Sequence, residues 1–186
     1  MMTRSVACGF LACLIATAIA PDMPTYTPKG DMVFPSNYRE WVYLSSGFGM
    51  SYNPHETNAT FDNVFVNPAA YRSFLDHGVW PDKTVLVLEI RDAQSKGSIN
   101  QNGHFQSSTV KGLEVHVKDE SRFPGKWAFF DFHNQVSGKL IPSAASCYSC
   151  HAEHGAVDTT FVQFYPTLLG TAEKKGTINA VGRSKN

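Results

Sequence analysis

The sequence predicts an α+β domain in which an antiparallel β-sheet outweighs a few flanking helices, and three stretches carry that prediction. Leu113-Glu114-Val115-His116-Val117-Lys118 alternates strictly between apolar and polar residues, the pattern of a half-exposed strand in an antiparallel sheet. Thr84-Val85-Leu86-Val87-Leu88-Glu89-Ile90 is a β-branched, apolar run bounded upstream by Pro81-Asp82, the pattern of a buried strand. Lys126-Trp127-Ala128-Phe129-Phe130-Asp131-Phe132 is aromatic on both faces and suits a sheet centre or a cofactor wall. Strands so outnumber helices that all-helical bundles fit badly.

The chain opens with Met1-Met2-Thr3-Arg4, carrying one positive charge, followed by an uncharged apolar run from Ser5 to Ala20. A short basic start, an apolar middle and small residues at the end form a secretory signal. Cleavage is expected after Ala18, because the later Ala-x-Ala site would place Pro21 directly behind the scissile bond. An uncleaved anchor fits less well, since crossing a bilayer takes roughly 20 apolar residues and this run is shorter. Residues 1–18 are therefore expected to leave the mature protein, which places it outside the cytoplasm, periplasmic or otherwise exported, and residues 19–33 read as a linker.

Val64-Phe65-Val66 reads as a short strand feeding a helix. That helix is marked by Asn67 as N-cap, Pro68 at the first helical position and Gly78 beyond its end. Residues 94–103 are polar and glycine-containing and read as a long surface loop. Asp158 reads as the N-cap of a C-terminal helix through Phe161, Phe164, Tyr165 and Leu168, bent at Pro166. Residues 171–186 read as a polar tail, leaving 34–170 as the folded domain.

Composition narrows the function. With 186 residues, one domain is the expectation, and it is long enough to bury a core. Lys+Arg and Asp+Glu both number 16, so the chain offers no electrostatic footprint for nucleic acid. Its charged fraction of 17% and aromatic fraction of 12% argue against disorder.

Of the four cysteines, Cys8 and Cys13 fall in the leader, and the other two form Cys147-Tyr148-Ser149-Cys150-His151. Cys-x-x-Cys-His is the attachment signature of a c-type haem. Two thiols at this spacing can each add to one haem vinyl group, and the next residue brings its imidazole to the iron. Cys147 and Cys150 would be the thioether anchors and His151 the proximal ligand, with one covalent haem c per chain. Three alternatives remain open. The cysteines could form a structural disulfide in an exported protein, or act as a thioredoxin-like redox pair, although the βαβ pattern expected beside such a pair is missing. A zinc site would need two further ligands, and the sequence has no second Cys-x-x-Cys.

Several motifs together resemble the cytochrome P460 family. The stretch from Cys147 to Leu169 is similar to its C-terminal signature, in which the haem motif is followed by an Asp and a Phe-Val-Gln-Phe-Tyr-Pro segment, here Asp158 and Phe161 to Pro166. Phe34-Pro35-Ser36-Asn37-Tyr38-Arg39-Glu40-Trp41 resembles its opening pattern, and Phe65 to Tyr71 with Trp80 to Val87 resembles its middle. The resemblance implies an antiparallel sheet with a few helices, a homodimer, and a five-coordinate haem open to small ligands on its distal side. It also implies two functional branches. One oxidises hydroxylamine, using a haem cross-linked to a lysine and a distal carboxylate. The other, the cytochromes c′-β, binds nitric oxide beneath an apolar cap without that cross-link.

Two departures favour the second branch. Family members often carry a lysine just before the aromatic-Pro pair, where this chain has Val79, and none of Lys83, Lys111 or Lys118 is carried over to that position. Leu140 to Ser146, where an acid is expected, contains none. The expected protein therefore binds a small gaseous or nitrogenous ligand such as nitric oxide. Hydroxylamine oxidation is the alternative, and a six-coordinate electron carrier with a redox partner protein is the second alternative. Met50 is the candidate sixth ligand for that carrier. His55, His77, His104 and His133 are candidates for a distal base, each more simply a surface histidine. His116 is expected in solvent, His154 in a supporting role at most, and Phe61, Phe65, Phe129 and Phe132 are candidates for a distal cap. The purified protein is expected to be coloured, with haem that stays on the chain after denaturation; a colourless protein with a Cys147–Cys150 disulfide would overturn the haem assignment.

Overall fold

The computed structural model describes residues 22–51, 55, 57–100, 102–133 and 136–183. The expected signal, with Cys8, Cys13 and the cleavage site, lies outside the described residues. Among those described, seven strands form one sheet: β1 (Met32–Val33), β2 (Val42–Phe48), β3 (Thr60–Val66), β4 (Val85–Gln94), β5 (Phe105–Lys118), β6 (Trp127–Asp131) and β7 (Ser137–Leu140). Four α-helices accompany them: α1 (Pro68–His77), α2 (Ser146–His154), α3 (Pro166–Lys175) and α4 (Ala180–Arg183). The sheet order is β1-β7-β6-β5-β4-β3-β2, and every pairing is antiparallel. The sequence expectation of an antiparallel α+β domain therefore holds.

Period-2 alternation sends each strand's residues to two separate cores. On one face Val66, Leu86 and Trp127 pack with Ala70 and Phe74 of α1, with Trp80, and with Leu168 and Ala172 of α3. On the other, Val85, Val87, Val115, Val117, Phe130 and Phe132 pack with Met32, Tyr38 and Trp41 from the N-terminal segment. Both faces are covered, which corrects the reading of β5 as half-exposed. His116 and Lys118, expected in solvent, are each only 8% exposed, because the segment after α2 folds across them.

Helix α1 begins with Pro68 at its first turn and ends at Gly78, whose φ of 74° is left-handed. A side chain there would also meet Lys175, 2.7 Å from the position of an added Cβ, so glycine is required twice over. Asn67 makes no side-chain cap. Its Oδ1 accepts the Val85 N–H at 2.9 Å, tying the helix start to β4 instead.

Three boundaries differ from expectation. The stretch 19–33 is more than a linker: Met32 is 1% exposed, β1 pairs with β7, and the Asp22 carboxylate accepts from Asn37 Nδ2 and Trp41 Nε1, both at 3.0 Å. Instead of one bent C-terminal helix, a 3-10 turn at Val162–Phe164 precedes α3, which begins at Pro166, where the missing N–H costs nothing. The expected polar tail is packed, since Ala172 and Ile178 are buried and α4 follows.

Beneath the second core lies a buried charged network. Glu89, 3% exposed, accepts from Arg91 Nε at 2.6 Å and from the Tyr38 hydroxyl, and pairs with Arg39. Burial acts to raise the Glu89 pKa, but the hydrogen bonds from Arg91 and Tyr38 and the charges of both arginines outweigh it and hold the carboxyl below its usual range. A depressed folded-state pKa contributes stability above the unfolded value of about 4.3, and that contribution disappears as pH falls through the folded value. Glu89→Ala, which strands Arg91 without its partner, is expected to cost about 3–5 kcal/mol in denaturant unfolding at pH 7. The loss relative to wild type is expected to shrink on acidification below about pH 4.

Candidate functional site

Helix α2 carries Cys147, Cys150 and His151, and none of its residues is fully buried. It is held mainly through its backbone and Tyr148. The Tyr148 hydroxyl donates to Ile141 O at 3.0 Å and accepts from the Phe129 N–H at 3.3 Å. At the other end Gln163 Nε2 donates to His154 O at 2.8 Å. Helical spacing puts the thiols of Cys147 and Cys150 one turn apart on a shared face. Both cysteines are free, so no disulfide joins them.

His151 Nδ1 lies 2.7 Å from Thr159 O. A carbonyl can only accept, so the proton sits on Nδ1 and Nε2 keeps its lone pair, the form that ligates a metal. Burial lowers the imidazole's pKa, against the opposing pull of that bond, and favours the neutral ring. Three rings wall it: Phe161 at 4.3 Å, Phe129 at 4.6 Å and His116 at 4.9 Å between centroids. His116 in turn stacks on Phe129 at 4.0 Å, and burial, then the neighbouring His151, holds its pKa well below the ordinary histidine value.

Thr159 belongs to a tight turn closed by Thr160 N–H to Val157 O at 3.0 Å, with Asp158 at a φ of 52°. Asp158 is thus a turn residue rather than the expected helix N-cap; its short polar side chain tolerates the left-handed conformation. Gly155 lets the chain fold back on itself between α2 and this turn.

Carboxylates stand further along the same sheet face. Glu114 of β5 lies directly opposite Asp131 of β6, and the register places Asp62 of β3 on that face as well. Like charges opposed across a ladder are unfavourable. Burial, then Asp131 and Asp62, raises the Glu114 pKa, while His133 opposes them. Burial also raises Asp62, against a hydrogen bond from Thr60. The stretch Leu140 to Ser146 before the Cys-x-x-Cys-His motif contains no acid; these acids arrive from three separate strands. In sequence they are indistinguishable from solvated positions.

The other sequence candidates disperse. Met50 is 61% exposed beyond the end of edge strand β2. His77 bonds back to Ser73 O within α1, His104 stacks on Phe48, His133 pairs with Asp131, and His55 is exposed. Of the four candidate cap aromatics only Phe129 reaches His151. Phe61 and Phe65 pair with Phe48 and Tyr43, and Phe132 packs in the core across the sheet. Strand periodicity explains this, because Phe61 and Phe65 alternate with Asp62 and Val64 and so face away. Phe161, from outside the sheet, joins Phe129 against the His151 ring, so both flank the candidate proximal histidine and neither stands as a distal cap. The lysines are engaged as well: Lys83 with Asp119, Lys111 with Asp92, and Lys118 with the Trp80 carbonyl. Among the described residues no group of three or more His, Cys, Asp or Glu side chains gathers to hold a metal ion, and no helix is long and apolar enough to cross a membrane.

Paired free thiols, a neighbouring imidazole with its ligating nitrogen left open, an aromatic wall and a helix without a fully buried residue together fit a haem. The fold and site thus define a β-rich haem protein whose architecture is not that of a helical bundle. The family model for cytochrome P460 matches residues 35–162, and the chain belongs to that family. No curated protein matches the chain. An added Cβ at Gly155 would lie 2.6 Å from His151 O and 2.8 Å from the Thr159 carbonyl carbon, both backbone atoms. Gly155→Ala is therefore expected to lower stability by about 1–3 kcal/mol, measured as a fall in denaturation midpoint.

Proposed function

We propose that the chain is an exported member of the cytochrome P460 family that carries one covalent haem c and binds a small nitrogen-oxide ligand such as nitric oxide. Cys147 and Cys150 would hold the haem by thioether bonds, and His151 Nε2 would be the one protein ligand to its iron. When bound, the haem supplies an iron with a coordination position for a diatomic ligand. The observation that carries this reading is the dispersal of the candidate sixth ligands. The His116 ring meets His151 at 4.9 Å between centroids, but its Nε2 lies against Thr159 Oγ1 at 3.3 Å. The engaged lysines favour the branch without a cross-link. Phe129 and Phe161 exclude water from the histidine's flanks. A neutral ligand needs no electrostatic steering, in keeping with the balanced charge of the chain. The leader supports export, where covalent haem attachment takes place, and the family resemblance supports a homodimer.

The carboxylates favour a second reading, hydroxylamine oxidation. Glu114, with its raised pKa and its position on the His151 side of the sheet, would take a proton from hydroxylamine, and the electrons would pass to an outside acceptor protein. The ferrous spectrum and a turnover assay separate the readings. The expected result is an ordinary five-coordinate haem c that binds nitric oxide and shows no hydroxylamine-dependent reduction of an acceptor. A strongly red-shifted main band, with turnover that falls about 10²-fold or more in Glu114→Gln, would establish the enzyme. Low-spin bands without added ligand would establish the electron carrier.

A further inference from the structure

Strand β5 presents two buried polar side chains, His116 and Lys118, to the face on which apolar residues would pack at lower cost. Each is 8% exposed, and burying an imidazole and an ammonium carries a desolvation penalty that needs specific partners to offset it. Both side chains reach the same short turn. His116 Nε2 meets Thr159 Oγ1 at 3.3 Å, and Lys118 Nζ lies 3.5 Å from Asp158 Oδ2. Lys118 also donates to Trp80 O at 2.7 Å, and Trp80 Nε1 donates to Thr160 Oγ1 at 2.7 Å. Asp158, Thr159 and Thr160 are therefore each held by a side chain from the sheet side, and the middle one supplies the carbonyl that accepts from His151 Nδ1.

We infer that His116 and Lys118 are positioning residues for His151: gripping adjacent residues of one turn, they hold the Thr159 carbonyl where it sets the tautomer, plane and donor strength of the imidazole. The inference rests on His151 being the iron's ligand. It gives Lys118 a role as a fixed clamp, its amine already committed to the Trp80 carbonyl and to the carboxylates of Asp158 and Glu120. His116 acts from the side of the imidazole, through Thr159, and is not itself a ligand. A hydrogen bond from a ligating histidine to a carbonyl raises the basicity of the ligand, so loosening the turn weakens the iron–histidine bond and makes the reduced iron easier to keep.

The test uses the purified holoprotein and reads the ferrous iron–histidine stretching frequency and the midpoint potential, neither of which follows from packing alone. His116→Phe keeps the stack on Phe129 and loses the contact with Thr159; Thr159→Val removes the other partner. Both are expected to shift the stretch down and the potential up, and the double variant is expected to go no further than the larger single change. Lys118→Met is expected to move both readouts in the same direction. His116→Gln, which restores a side-chain hydrogen-bonding partner for Thr159, is expected to return toward wild type. If His116→Phe and Thr159→Val load haem fully and lose thermal stability while the stretch and potential stay at wild-type values, the clamp is merely structural and the inference falls. If wild type itself shows no iron–histidine stretch, and His151→Gly changes nothing in the spectrum, the ligand assignment has failed and the inference falls with it.

Discussion

The hydrogen bond from His151 Nδ1 to the carbonyl of Thr159, 2.7 Å long, is the contact on which the rest of the site depends. It joins a helix with no fully buried residue to a turn that the sheet holds tightly. Without it, α2 would be attached mainly through Tyr148 and its C-terminal end. With it, one ring nitrogen is protonated and the other left free, so a single bond decides both where the imidazole sits and which atom is available to a metal. Gly155 makes the bond possible by letting the backbone of α2 approach the turn more closely than a side chain would allow.

That geometry in turn needs a sheet covered on both faces. One face is closed by the N-terminal segment over the Glu89 network, leaving the other to receive α1, α3 and the segment that follows α2. Burial on the second face changes the chemistry of what lies there. It keeps His116 neutral and Lys118 committed to its partners, and it pushes the carboxyl of Glu114 upward beside Asp131 and Asp62. The same sheet face thus supports His151 at one end and gathers carboxylates at the other. Those acids keep hydroxylamine chemistry in view beside simple ligand binding.

Legibility followed sequence distance. The strands around residues 84–90, 113–118 and 126–132, and the capped helix at Pro68, were readable because alternation, β-branching and proline placement act over a few residues. Boundaries that depend on packing were not. Met32 and Ile178 sit in polar surroundings that resemble linker and tail, and only long-range partners bury them. His116 looked like one more polar position on an alternating strand, because nothing local announces that another segment will cover it.

What the sequence supplied by itself was the Cys-x-x-Cys-His motif, since Cys147, Cys150 and His151 are near neighbours in the chain and their spacing matches what a c-type haem attachment needs. It also determined the family, through several ordered motifs spread along the chain. What only the tertiary structure decided was the state and company of those residues: the tautomer of His151, the clamp on its turn, the choice of Phe129 and Phe161 over Phe61 and Phe65, and the meeting of Glu114 with Asp131. Each depends on strand register and on contacts between residues far apart in the chain, and a pattern of near neighbours carries no information about either.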